Sequence, residues 1–152
     1  MAASKYEQYL VRKPLREVGA RSVGRLKGRQ VPSQTYMSNA LVPGSNTYIE
    51  FSWIYDVPDP NPHIREHSHD YDEIVIHIGS DPDNPEDLGG EIEYCVNGEA
   101  LVFDTTTALF LPKGLKHGPL TWKKVTRPHL EMAIIMGTGD FAEASPGSNR
   151  AR

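Results

Sequence analysis

His67-Ser68-His69-Asp70-Tyr71-Asp72-Glu73, followed about forty residues later by Pro112-Lys113-Gly114-Leu115-Lys116-His117, is the pair of segments from which the rest of the chain can be read. Three imidazoles and one carboxylate are the donor set that a mid-row divalent metal ion prefers. His67 and His69 are two apart, so on a strand both rings leave the same face, whereas a helix would splay them. Glu73 lies six residues beyond His67. That is a span of roughly 20 Å when extended, too far for both to reach one ion at about 2 Å. The chain must turn between them, and Asp70-Tyr71-Asp72 supplies turn-prone acids there. His67 and His69 are therefore expected to end one strand and Glu73 to begin the next. Pro112 and Gly114 break the apolar run Ala108-Leu109-Phe110-Leu111, so His117 opens whatever follows that turn.

Outward from these segments the pattern is strand, turn, strand. Thr47 to Tyr55 alternates, with Ile49, Phe51, Trp53 and Tyr55 on one face and Tyr48, Glu50 and Ser52 on the other. Asp56 to Pro62, with three prolines, reads as an extended loop. Further strands are expected at Ile74 to Ile78, Ala108 to Leu111, near Leu120 to Val125 and at His129 to Met136. Glu91 to Val96 and Glu99 to Phe103 flank Asn97-Gly98 as a hairpin with a two-residue turn. No segment after residue 40 has a helical period, so the expected fold is all-β: an antiparallel barrel or jelly-roll sandwich in one domain. Residues 1–40 would form an arm with strands or a short helix packing on the barrel or on a partner subunit, 41–137 the barrel, and 138–152 a loose tail.

The paired segments resemble the two sequence motifs of the cupin superfamily. The first motif, G-x5-H-x-H-x3-4-E-x6-G, is met by His67, His69 and Glu73, with Gly79 one residue early. The second, G-x5-P-x-G-x2-H-x3-N, is met by Pro112, Gly114 and His117. Asn61 and Thr106 stand at the motif glycines and Thr121 at the asparagine, while all four ligand positions are kept. The resemblance covers roughly residues 47–136. It implies a β-barrel with His67, His69, Glu73 and His117 as ligands of one divalent metal, iron(II) first and manganese, nickel or zinc as alternatives. It does not fix the reaction, since cupins include dioxygenases, decarboxylases, isomerases, lyases and binding proteins. The expected function is a metal-dependent enzyme on a small oxygenated metabolite, of non-haem iron dioxygenase type first. A redox-neutral isomerase, lyase or decarboxylase on a sugar or hydroxy acid comes second, and a non-catalytic small-molecule binder third. Small cupins commonly pair, so a homodimer using part of residues 1–40 is expected as well.

Composition fits this reading. A chain of 152 residues is about one domain. No apolar stretch approaches the roughly 20 residues needed to cross a bilayer. Net charge of −4 argues against a nucleic-acid-binding surface. A single cysteine, Cys95, can form no internal disulfide, and the first residues lack the apolar core of a secretory signal, so the cytoplasm is the expected compartment. Cys95 reads as an inert, half-buried thiol. The acid-rich stretch Asp81 to Asp87 lacks the spacing of a calcium loop and reads as plain surface. The basic run from Arg12 to Arg29 reads as a solvated arm and His63 as a solvent-exposed histidine outside the ligand set.

Candidate catalytic groups come from strand parity. Glu73, Val75 and His77 share a face, which places His77 inside the barrel, either to bond substrate or move a proton or simply as a packed core histidine. Tyr48, Glu50 and His129 are further polar candidates for the interior. His129 and Glu131 share one face of the last strand, opposite Leu130, Met132, Ile134 and Met136, and parity alone leaves open which face looks inward.

Overall fold

The alternation of the chain is realised as nine strands in two antiparallel sheets, with only short 3-10 turns elsewhere among the described residues. The computed structural model describes residues 4–20 and 24–143. The strands are β1 (Lys27–Arg29), β2 (Gln34–Met37), β3 (Thr47–Asp59), β4 (Asp72–Ile78), β5 (Asp87–Val96), β6 (Glu99–Thr105), β7 (Thr107–Leu111), β8 (His117–Val125) and β9 (His129–Met136). The larger sheet runs β1-β3-β9-β4-β7, with β2 also on β3; the smaller runs β6-β5-β8. The β5–β6 connection is the expected hairpin: Asn97 and Gly98 both take positive φ, which a two-residue turn of matching twist requires. No helix among the described residues is long and apolar enough to cross a membrane.

The core between the sheets is built from Ile54 and Val75 of the larger sheet and Leu88, Ile92, Tyr94, Leu120 and Trp122 of the smaller, closed by Leu111. A second small cluster joins Val18 of the N-terminal arm to Tyr48 and Ile135. Burial of these groups supplies the main stabilisation, at roughly 25 cal/mol per Å² of apolar surface.

Strand parity left the inward faces of β3 and β9 open, and the answer inverts the usual pattern. Tyr48, Glu50, Ser52 and Ile54 of β3 and His129, Glu131 and Ile135 of β9 are buried, whereas Trp53, Tyr55 and Met136 are exposed. The polar faces look into the barrel and the apolar faces look out. Register aligns the inner side chains of the larger sheet into rows: Tyr48, Ile135, Glu73 and Leu111; then Glu50, Ala133, Val75 and Leu109; then Ser52, Glu131, His77 and Thr107.

Several expectations are corrected. Asp56 to Asp59 is not loop but continues β3, because β1 pairs there, at Lys27 opposite Asp59. Beyond Ile54, the last β3 residue paired with β9, that edge of the strand no longer needs donors, so Pro58 is tolerated. Arg29, expected on a solvated arm, is buried and ion-paired to Glu131 at 2.8 Å. His63 is fully buried and stacked on Trp122, because the bridge of Ile64 to Leu120 lays its segment against β8. Within the arm, β1 and β2 both hydrogen-bond to β3 of the same chain. Of the tail expected at 138–152, Phe141–Glu143 forms a 3-10 turn and residues 144–152 lie outside the described residues.

Candidate metal centre

Two loops that are far apart in sequence are zipped together at the open end of the barrel. His67 and His117 exchange backbone N–H···O bonds, 2.9 Å each way. Gly114 N–H donates to His69 O at 2.8 Å, and Lys113 N–H to Asp72 Oδ1 at 2.9 Å. Gly118 permits the approach: its φ is +90°, and a Cβ there would stand 2.4 Å from Arg65 O. The His67–His69 segment is not a strand end as expected. It is extended chain held by one isolated bridge, and its partner is β8 rather than β4.

The four side chains meet. One donor atom from each of His67, His69, Glu73 and His117 lies within 4.8 Å of the others. Around one ion with ligands at about 2.1 Å, adjacent donors stand about 3 Å apart and opposite ones about 4.2 Å. The group is thus already of the size that one ion needs. Each ring is oriented by the same device. His67 Nδ1 bonds Arg65 O at 2.8 Å, His69 Nδ1 bonds Tyr71 O at 2.9 Å, and His117 Nδ1 bonds Leu115 O at 2.8 Å. A carbonyl only accepts, so Nδ1 carries a proton in every case, and Nε2 is the nitrogen left to face a metal ion once that atom is unprotonated. His69 Nε2 lies 2.9 Å from Glu73 Oε2 and His117 Nε2 3.4 Å from the same oxygen. Among the described residues His117 Nε2 is buried without a hydrogen bond of ordinary geometry, the condition of a nitrogen built for another partner. These residues could hold a metal ion.

Electrostatics follow from the packing. Burial pushes the Glu73 carboxyl up, but the His117 and His69 contacts outweigh it and hold the group below its ordinary value. Burial lowers His69 too, yet the Glu73 hydrogen bond and charge raise it overall. His67 is lowered, chiefly by burial. A carboxylate and unprotonated rings are the forms that bind metal.

Two residues were missed by reading the sequence. Tyr71, taken as a turn residue, stacks on His69 with ring centroids 4.1 Å apart and planes 5° off parallel, and its hydroxyl donates to Glu143 O. Tyr94 of β5 is buried, 6.4 Å from the His117 ring between centroids. Its hydroxyl is pushed well above the usual phenol range by burial, then by Glu73 and Glu131. Inward parity with Ile92 was the available signal for Tyr94; none existed for Tyr71.

The motif departures have local roles. Asn61 clamps its loop to β8, donating from Nδ2 to Trp122 O at 2.7 Å and accepting from Trp122 N–H at 3.1 Å. Thr106 Oγ1 accepts from Gly79 N–H and donates to Pro85 O.

Of the other candidates, His77 faces inward two rows below Glu73, about 13 Å along the strand. It packs on Trp122 and Phe103, and neither ring nitrogen meets a hydrogen-bond partner among the described residues. Burial lowers its pKa to about 4. His129 Nε2 accepts from Trp122 Nε1–H at 3.0 Å. Tyr48 shares the Glu73 row, but its hydroxyl is engaged by Thr35 at 2.8 Å and by Glu17 at 2.7 Å. Glu50 lies one row deeper, buried.

Fold and site together define an antiparallel β-barrel of two facing sheets whose open end carries a three-histidine, one-glutamate group able to bind a divalent ion. No protein-family model and no curated protein matches the chain. Some of the solved structures similar to it are named as cupins. An RmlC-like cupin from Shewanella frigidimarina has 13% identity and a TM-score of 0.48, covering 76% of this chain and 80% of its own. KdgF from Halomonas sp. has 12% identity and a TM-score of 0.46, with 72% and 79% covered. A sugar phosphate isomerase of the cupin superfamily from Silicibacter pomeroyi has 12% identity and a TM-score of 0.47, with 73% and 60% covered. Likeness at this level carries no argument about activity.

Proposed function

We propose that this chain is a metal-dependent cupin enzyme acting on a small oxygenated metabolite, with His67, His69, Glu73 and His117 as ligands. The observation that carries the reading is the gathering of one donor atom from each of the four residues within 4.8 Å, with each ring anchored through Nδ1 to a backbone carbonyl. Four protein ligands leave an octahedral ion about two open positions, which a purely structural site would not keep. When bound, a divalent ion would polarise a substrate oxygen and acidify the neighbouring C–H, and iron(II) could in addition pass electrons to dioxygen.

The chain's own residues do the rest. Half-buried His67 stands where a small molecule would enter. Tyr94, neutral across the working pH range, would donate a hydrogen bond or proton to a substrate oxygen beside His117. His77 and His129, neutral and deeper, would meet a distal polar group of a longer substrate. Tyr48 and Glu50 would serve the walls of the same chamber, Tyr48 chiefly by tying the arm to the barrel.

An iron dioxygenase-type oxidoreductase is the first reading, by resemblance of the motifs. Isomerase, lyase or decarboxylase chemistry with manganese, nickel or zinc is the second, favoured by a neutral hydroxyl beside the ligand group. The test is elemental analysis of protein purified without a metal-affinity tag, then an oxygen electrode against hydroxy acids, diketones, catechols and sugars. One metal per chain and oxygen uptake matching substrate loss support the first reading. Conversion without oxygen uptake supports the second, and ligand binding without turnover leaves a binding protein. Absence of any stoichiometric metal after reconstitution removes the proposal.

A further inference from the structure

The three histidines of the metal centre are not held alike. For His67 and His117 the carbonyl that anchors Nδ1 lies two residues earlier, at Arg65 and Leu115; for His69 it lies two residues later, at Tyr71. Tyr71 also lays its ring flat on that of His69, whereas the other ring contacts of the three ligands among the described residues are tilted or edge-on. The difference matters because χ2 of a histidine is a broad torsion: a bond at Nδ1 leaves the ring plane loosely set, and the direction of Nε2 swings with it. A flat neighbour removes that freedom. One residue thus fixes both the anchor and the plane of His69.

Tyr71 is fixed in turn from outside the site. Its hydroxyl donates to the backbone carbonyl of Glu143, in the 3-10 turn Phe141–Glu143. Its ring packs, with Phe141, on the cluster of Val18, Tyr48 and Ile135, and Ile135 is the strand neighbour of Glu73. The turn is itself closely tied. Thr138 N–H donates to Glu143 Oε2 at 2.9 Å, Ala142 N–H to Asp140 Oδ1 at 2.7 Å, and Asn39 N–H to Gly139 O at 2.8 Å. Gly139, at φ +77°, lies so close to the segment before β3 that a Cβ there would stand 2.4 Å from Ser45 O. A chain of direct contacts therefore runs from the C-terminal turn, through one tyrosine, to a ligand.

We propose that Tyr71 is a positioning residue: the C-terminal turn, acting through it, sets the ring plane of His69 and with it the affinity of the centre for a metal ion. The affinity part rests on the metal-binding function proposed above. Coupling of this kind is reciprocal, so a bound ion in return holds the turn more firmly.

Zinc titration against a chromogenic chelator and proton NMR of the metal-free chain test this together. Tyr71→Phe keeps the ring and loses the bond to Glu143, while Phe141→Ala removes the apolar anchor of the turn. Each should weaken zinc binding about tenfold, and Tyr71→Leu, which loses the stack as well, about 100-fold. Phe141→Leu should recover most of the affinity. Val125→Ala, a truncation against the main core between the sheets, should bind zinc as the wild type does. At a pH above the imidazole range, the ring protons of His69, assigned with His69→Gln, should move downfield in Tyr71→Phe and Phe141→Ala, while those of His77 and His129 stay. Zinc should also slow hydrogen exchange at the Thr138 and Ala142 amides of the wild type, and less so in Tyr71→Phe. Unmoved His69 protons in both variants overturn the proposal. So does wild-type zinc affinity in both, and the metal reading then stands without it. A wild-type chain that binds no zinc ends the metal reading instead, and the ring protons alone then decide whether the turn seats His69.

Discussion

At the open end of the barrel stand His67, His69, His117 and Glu73; deeper in stand His63, His77, His129 and Glu131, the same side chains in kind and number. Their environments separate them. At the open end each Nδ1 is bound to a carbonyl, and the Nε2 atoms of His69 and His117 lie 2.9 and 3.4 Å from Glu73 Oε2. In the deep set Glu131 is held by Arg29 at 2.8 Å, His129 Nε2 is occupied by the Trp122 indole, and His77 bonds to nothing among the described residues. Only the first set brings its donor atoms within 4.8 Å among the described residues. Donor composition therefore does not make a metal site. A ring needs one nitrogen anchored so that the other is aimed, and the carboxylate must not already have a cation. The guanidinium at Glu131 takes the place that an ion would need.

The two sets should respond differently to substitution. His69→Ala and His117→Ala should each lose most of the bound metal, measured by elemental analysis, while the apo fold keeps its circular dichroism; full occupancy in both would dissolve the open-end set. Arg29→Met should do the reverse, because a buried carboxylate stripped of its cation costs about 3–5 kcal/mol. Chemical denaturation should show that loss, with metal content per folded chain unchanged. An unaltered midpoint would mean that the Arg29–Glu131 pair contributes nothing.

A smaller effect concerns protons. His77 titrates at about 4 in the fold, mainly through burial, against about 6.5 when unfolded. Between those values the unfolded chain takes up a proton that the folded chain refuses, so stability is fully present above about pH 6.5 and is lost as pH falls toward 4. The loss is on the order of 3 kcal/mol. Comparing wild type with His77→Gln by denaturation at several pH values isolates this part of the slope. Parallel curves would show that His77 is not the group responsible.

Much of the open-end set was legible in the sequence, since three histidines, a glutamate and a Pro-x-Gly turn at motif spacing leave few arrangements. The strand positions followed from period-2 alternation in Thr47 to Tyr55 and from the Asn97-Gly98 turn. Of the deep set, parity with Glu73 placed His77 inside the barrel and His129 was an interior candidate; the rest was not legible, for physical reasons. Alternation shows that β3 and β9 have two unlike faces, but it does not show that the polar ones turn inward. Arg29 and Glu131 stabilise each other across 102 residues of chain, a pairing no local pattern signals. His63 looked exposed because its loop is proline-rich, and the bridge to Leu120 that buries it is a tertiary event. Tyr71 seemed a spacer because stacking on His69 depends on the loop's final path.

The backbone zipper between the two loops has a consequence for engineering. Neither His-x-His nor Pro-x-Gly-x2-His holds its geometry alone: the carbonyl of His69 is capped by Gly114, and the amide of His67 by His117. The smallest transplantable unit is both loops with their shared bonds, grafted onto any barrel that offers two openings at that spacing, and a graft of either loop alone would carry the histidines without their aim.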